Sequence, residues 1–124
     1  MNNLDIERKA IDATGVLLQE KGYICAVDIF IKLGYLDVKD YENWRLRKIP
    51  YLEKVIKVNL KKIQLVLTAI KRNSQKGNLK PSVTVYKSWG KGASTLLRFS
   101  KSGNEKVEAL YFTHYVKRKV VKSA

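Results

Sequence analysis

Side chains able to make or break bonds are scarce here. The chain holds one Cys and one His. Cys25 sits between Ile24 and Ala26 in an apolar stretch and reads as an inert, buried thiol. With a single Cys, no internal disulfide is available. His114 follows a Leu-Tyr-Phe-Thr run and has no second His or Cys with which to build a zinc site, so no metal is expected. No glycine pattern of a nucleophile elbow surrounds any Ser. The run Gly90-Lys91-Gly92-Ala93-Ser94-Thr95 lacks the Gly-Lys-Ser/Thr order of a phosphate loop, and no cofactor is expected. An acid–base pair such as Glu53 with His114 meets only by an accident of folding. The inventory leans away from an enzyme.

Positive charge is what the chain has in excess. Its 124 residues carry 25 Lys/Arg against 11 Asp/Glu, a formal charge of +14. Up to Trp44 there are five basic and eight acidic residues, a net −3. From Arg45 onward there are 20 basic residues against Glu53, Glu105 and Glu108, a net +17. A field with a direction draws polyanions to one side of a molecule. Arg45, Arg47 and Lys48 lead into Lys54, Lys57 and Lys61, which recur at steps of three and four. A solvated helix face normally interleaves Glu with Lys, and here the Glu is missing.

The elements that must position these groups follow from periodicity. Apolar spacing predicts a helix from Leu4 to Lys21, capped by Asn3 and stopped at Gly22. Cys25–Leu33 reads as a second helix ended by Gly34, and Asp37 opens a third through Tyr41, Trp44 and as far as Arg47. Leu52, Val55, Ile56, Asn59, Ile63, Val66, Leu67 and Ile70 predict one long central helix from Pro50 to Gln75, ending near Gly77. On such a helix Lys54, Lys57 and Lys61 share the face opposite the apolar stripe. Val83–Trp89 and Leu96–Phe99, joined by Gly90-Lys91-Gly92, read as a two-stranded β-hairpin. Asn104 caps a last helix containing Val107, Leu110, Tyr111 and His114, and the basic tail from Lys117 to Ala124 is expected to fray. The fold class is therefore α+β, mainly α: about five helices, one of them dominant, with a hairpin, in a single domain over residues 1–124. Trp44 reads as a core anchor.

Two elements admit competing readings. The hairpin interleaves Tyr86, Trp89 and Phe99 with Lys87, Lys91, Arg98 and Lys101, a pattern suited to single strands whose bases stack on rings. Alternatively Val83, Val85 and Trp89 turn one strand face to the core while Tyr86 covers an edge, and alternation favours this second reading. The second and third helices have helix-turn-helix lengths, but Asp37 and Asp40 stand where a recognition helix meets DNA and would repel phosphates.

Trp44-Arg45, Ile49-Pro50-Tyr51-Leu52-Glu53, Trp89-Gly90-Lys91-Gly92 and Arg98-Phe99-Ser100-Lys101-Ser102-Gly103 occur in an order that resembles a family of small uncharacterised bacterial proteins, over about Gly22 to Val116. The resemblance implies a bacterial cytoplasmic protein and carries over no activity and no site residue. The start of the chain has no basic, apolar leader, and no stretch has the length of a membrane span, so a cytoplasmic protein without membrane contact is expected.

The leading functional expectation is a non-enzymatic module that binds RNA or DNA through electrostatic phosphate contacts. Arg45, Arg47, Lys48, Lys54, Lys57 and Lys61 form one patch, and Lys91, Arg98 and Lys101 a second. The alternative is a protein-interaction or regulatory domain that docks through its acidic N-terminal helices, its basic face meeting an acidic protein. Oligomeric state is not legible.

Overall fold

The computed structural model describes residues 3–118. The order is α1 (Asn3–Lys21), β1 (Tyr23–Ile24), α2 (Ala26–Lys32), α3 (Val38–Arg45), α4 (Leu60–Lys76), β2 (Lys80–Val83), α5 (Glu105–Phe112) and β3 (Thr113–Val116), with a 3-10 turn at Leu52–Val55. The class is α+β, mainly α. Of the expected fraying tail, residues 119–124 lie outside the described residues.

The first helix forms because Ile6, Ala10, Ala13 and Leu17 recur on one face, and all four are buried. That face packs along α4, which answers with Ile63, Val66, Leu67 and Ile70. Two of the four α1 residues are alanines, which lets the helices approach. Asn73 Nδ2 donates to Thr14 Oγ1 at 2.9 Å across the seam, so these two polar side chains are paired.

Three helices end in the same way. After α2, α3 and α4 the chain places one residue in the left-handed region, with one N–H bonded back three residues and the next bonded back five. The left-handed residue is Gly34 (φ 79°) after α2, Asn78 (φ 54°) after α4 and Arg47 (φ 63°) after α3. Gly and Asn are the residues that tolerate this conformation, and Arg is not.

The sheet is antiparallel in the order β1-β3-β2. Its central strand aligns Tyr115 with Ile24 on one side and with Pro81 on the other. Pro81 fits because β2 is an edge strand and needs no inward N–H there. This sheet corrects two expectations. His114 does not belong to the last helix, which stops at Phe112, but to β3. Thr113, Tyr115 and Val116 are strand formers whose partners, β1 and β2, supply the ladder. The expected hairpin contracts to one isolated bridge, Lys87 with Leu96, closed by Leu97 N–H on the Tyr86 carbonyl at 3.0 Å and Ser88 N–H on the Thr95 carbonyl at 2.8 Å.

The long helix from Pro50 to Gln75 is also corrected. A 3-10 turn covers Leu52–Val55, Ile56 is extended, and α4 starts only at Leu60. N–H groups along the expected helix bond instead to partners remote in sequence. Leu52 and Glu53 donate to the carbonyls of Arg98 (3.3 Å) and Phe99 (2.9 Å), and Lys57 donates to the Tyr35 carbonyl (2.8 Å). Asn59 then restarts the chain, its side chain accepting from Lys62 N–H at 2.9 Å.

Aromatic rings fill the other half of the core. Trp44 is fully buried, 5.0 Å from Phe99 between ring centres, and its Nε1 donates to the Arg98 carbonyl at 2.9 Å. Phe99 stacks on Tyr111 at 5.1 Å and meets Tyr86 edge-on at 5.0 Å. The reading that turned Val83, Val85 and Trp89 inward is overturned: they are 71%, 58% and 46% exposed. A shift of one residue in facing sends Tyr86 and Phe99 inside instead.

Candidate functional site

The structure separates some of the nine cations singled out by the sequence and joins others. Lys54 lies in the 3-10 turn, Lys57 in the bend that links it to α4 and Lys61 in the first turn of α4, so they form no stripe on one helix. Lys57 Nζ is bound to Asp37 Oδ2 at 2.8 Å, and that carboxylate holds the ammonium above its ordinary pKa. Lys48 and Lys91 are exposed, Lys91 between two glycines of positive φ. Lys101 lines a different hollow, beside Glu53 and Leu60.

Arg45 is not a free phosphate contact either. Its guanidinium lies 4.7 Å from the centre of Tyr86, 5.0 Å from Trp89 and 5.6 Å from Tyr41. Nε donates to Tyr41 Oη at 2.9 Å and Nη1 to the Lys87 carbonyl at 2.8 Å. Its own carbonyl accepts from Trp89 N–H at 2.7 Å. Arg45 therefore staples the loop of residues 84–97 to α3, and cation–π contacts strengthen the staple.

Arg47 and Arg98, far apart in sequence, line one groove of about 360 Å³ with Ile49, Pro50 and Leu96. Both side chains are exposed. Arg47 is projected by its left-handed backbone, a conformation worth about 1–2 kcal/mol of strain in a residue with a Cβ. The Arg98 guanidinium rests 5.5 Å from the centre of the Tyr51 ring, and its carbonyl is fixed by Trp44 and Leu52. Next to it, the bridge between Lys87 and Leu96 sets an ammonium stem beside a leucine that is 70% exposed. The arrangement offers planar, bidentate donors on a fixed backbone with apolar ground between them, which suits oxyanions attached to a flat or greasy body.

The acids nearby serve the scaffold. Glu108 accepts from the N–H groups of Phe99 (2.9 Å) and Ser100 (2.7 Å) and from the Ser100 hydroxyl. Glu53 accepts from Lys101 N–H (3.0 Å) and Tyr111 Oη (2.7 Å). Carboxylates that would otherwise screen the surface thus hold the turn after Arg98 in place. From the N-terminal third, Asp28, Asp37 and Glu7 pair with Lys21, Lys57 and Arg72. Burial pushes the Cys25 thiol up to about 12, so it stays protonated and unreactive at neutral pH.

Among the described residues no group of three His, Cys, Asp or Glu gathers to hold a metal ion, and no helix is long and apolar enough to cross a membrane. The groove walls Ile49, Pro50 and Leu96 escaped sequence reasoning because no spacing links positions 49 and 96. A usable signal existed only at Arg47, where a basic residue follows a helix at a position that glycine usually fills. No protein-family model, curated protein or solved structure matches the chain.

Proposed function

We propose that this protein binds a polyanion, RNA or DNA in single-stranded form, without chemistry on it, and that the Arg47–Arg98 groove is the principal contact. The observation that carries the reading is that a strained arginine and a distant second arginine open onto one groove beside exposed Lys87 and Leu96. Strain retained at an exposed position is a marker of function when the strained side chain has no structural partner. With 25 basic and 11 acidic residues, one-to-one pairing leaves 14 cations over. Single strands fit because phosphates meet guanidinium groups while unstacked bases lie on apolar and aromatic surface. The resemblance to small bacterial proteins adds no residue role.

Fluorescence anisotropy with labelled single-stranded oligonucleotides at low salt tests this. Binding that weakens about tenfold or more in Arg47→Ala/Arg98→Ala, an estimate taken from two charge-assisted contacts, supports it. No binding by the wild-type chain ends it. One observation favours a second reading: Leu46 and Leu96 stand exposed near the two arginines, as a docking acidic protein segment would require. Displacement of the oligonucleotide by an apolar-acidic peptide, but not by polyglutamate, would favour that partner.

A further inference from the structure

A second hollow, of about 680 Å³, shares no residue with the arginine groove. Two helix-to-strand connections build it. α4 ends at Lys76 and the chain turns into β2 at Lys80, while α5 passes directly into β3 at Thr113. β2 and β3 pair, with Pro81 opposite Tyr115, so both helices lead into the same pair of strands. α4 contributes Lys71 and Gln75, one turn apart. α5 contributes Lys106, Ala109 and Leu110, which share a face at steps of three and four. Leu79, Pro81 and Tyr115 line the sheet end.

The chemistry of the lining is divided. Leu79, Ala109 and Leu110 are half-buried and Pro81 is exposed, which leaves apolar ground open between the helices. Ala109 keeps room that a longer side chain would take. Lys71 and Lys106 stand on the two facing helices, about 8 and 9 Å before the strands at 1.5 Å per residue. Among the described residues no carboxylate lines the hollow, and neither lysine makes an ion pair. Tyr115 is 7% exposed, so its ring offers no face on which a base could stack, and its hydroxyl has no hydrogen-bond partner among the described residues. The volume lies in the range of small-ligand sites, roughly 300–1,000 Å³. An apolar bed with cations on both walls and no acid complements a molecule with an apolar body and an anionic head.

We propose that the hollow between α4 and α5 is a binding site for a long-chain carboxylate. The acyl chain lies on Leu79, Ala109 and Leu110, and the carboxylate is held between the ammonium groups of Lys71 and Lys106. The site is independent of oligonucleotide binding, because the two share no residue. Both ammonium groups are exposed, so the head contributes several-fold in affinity and burial of the chain supplies the rest.

The test titrates the full chain with dodecanoate, below its micelle concentration, and follows methyl resonances by NMR. The methyls of Leu79, Ala109 and Leu110 are expected to shift, while those of Leu96 in the arginine groove are not. Dodecanol is expected to shift the same methyls with several-fold weaker affinity. Lys71→Gln/Lys106→Gln is expected to bring dodecanoate down to the dodecanol level. Lys32→Gln/Lys39→Gln, which removes as much charge from exposed positions elsewhere, is expected to keep the wild-type preference. Ala109→Leu, checked for folding by circular dichroism, is expected to weaken both ligands. No shift with dodecanoate, equal affinity for dodecanoate and dodecanol, equal loss in the two double variants, or shifts that centre on Leu96 overturn the proposal. Shifts that follow protein concentration alone overturn it in favour of a second copy of the chain. An acidic amphipathic peptide that moves these methyls where dodecanoate does not overturns it in favour of a protein partner.

Discussion

Arg47 shows how one residue can sit against local preference. Gly34 and Asn78 close their helices at the equivalent position without strain, whereas Arg47 holds a Cβ at φ 63°. Arg47→Gly is therefore expected to raise stability by about 1 kcal/mol while weakening oligonucleotide binding, measured by urea denaturation and anisotropy on the same sample. A loss of both would mark the side chain as structural. Ser74 is a smaller anomaly: its Oγ is buried and finds no hydrogen-bond partner among the described residues. Ser74→Ala should leave stability unchanged or raise it by up to about 1 kcal/mol, because an unpaired buried hydroxyl is a cost. His114 supplies a pH effect. Burial lowers its pKa from 6.5, so below that value the unfolded chain binds a proton that the folded chain does not. Stability should thus be complete above about pH 6.5 and fall as the pH drops below it, and His114→Gln should flatten that part of the denaturation profile. Trp44 and Cys25 were legible as interior residues from their types and neighbours. Arg45 was not legible as a staple, because the three rings that hold it come from α3 and from a loop some forty residues later.

Caps and glycines made helix ends readable at the level of elements. Gly22, Gly34, Asp37 and Asn104 lie at the boundaries the structure shows, and these signals are local. The central helix misled for the opposite reason. Its apolar spacing continues upstream of Asn59, yet the N–H groups of Leu52, Glu53 and Lys57 bond to residues remote in sequence. Periodicity records which side of the chain is buried and is blind to where its hydrogen bonds go. Asn59→Ala tests the restart: with α4 beginning at Leu60, loss of the cap should cost about 1 kcal/mol in thermal or urea unfolding, whereas a residue inside a continuous helix would gain from alanine. The strands β1 and β3 are two and four residues long and pair across some ninety positions, which leaves too little pattern to detect. The loop of residues 84–97 was read in the wrong facing, since alternation identifies two faces without saying which one is wet.

For the molecule as a whole, the imbalance of charge was plain from composition, and its distribution was not. Asp37 reaches across to Lys57, one of the patch that the sequence ranked first, and Glu7 pairs with Arg72 outside that patch. Exposed ion pairs of this kind contribute little to stability, so Lys57→Ala should change neither folding nor binding by more than a small factor. What remains is the groove of Arg47 and Arg98, assembled by the end of α3 and by a turn that Glu53 and Glu108 hold in place. The most direct measurement is the salt dependence of single-strand binding in wild type and in Arg47→Ala/Arg98→Ala. The account predicts that log affinity falls with log salt less steeply in the variant, by about 1.4 in slope for two lost phosphate contacts, with the Lys57→Ala slope close to wild type. An unchanged slope in the double variant, or an equal loss in Lys57→Ala, would contradict it.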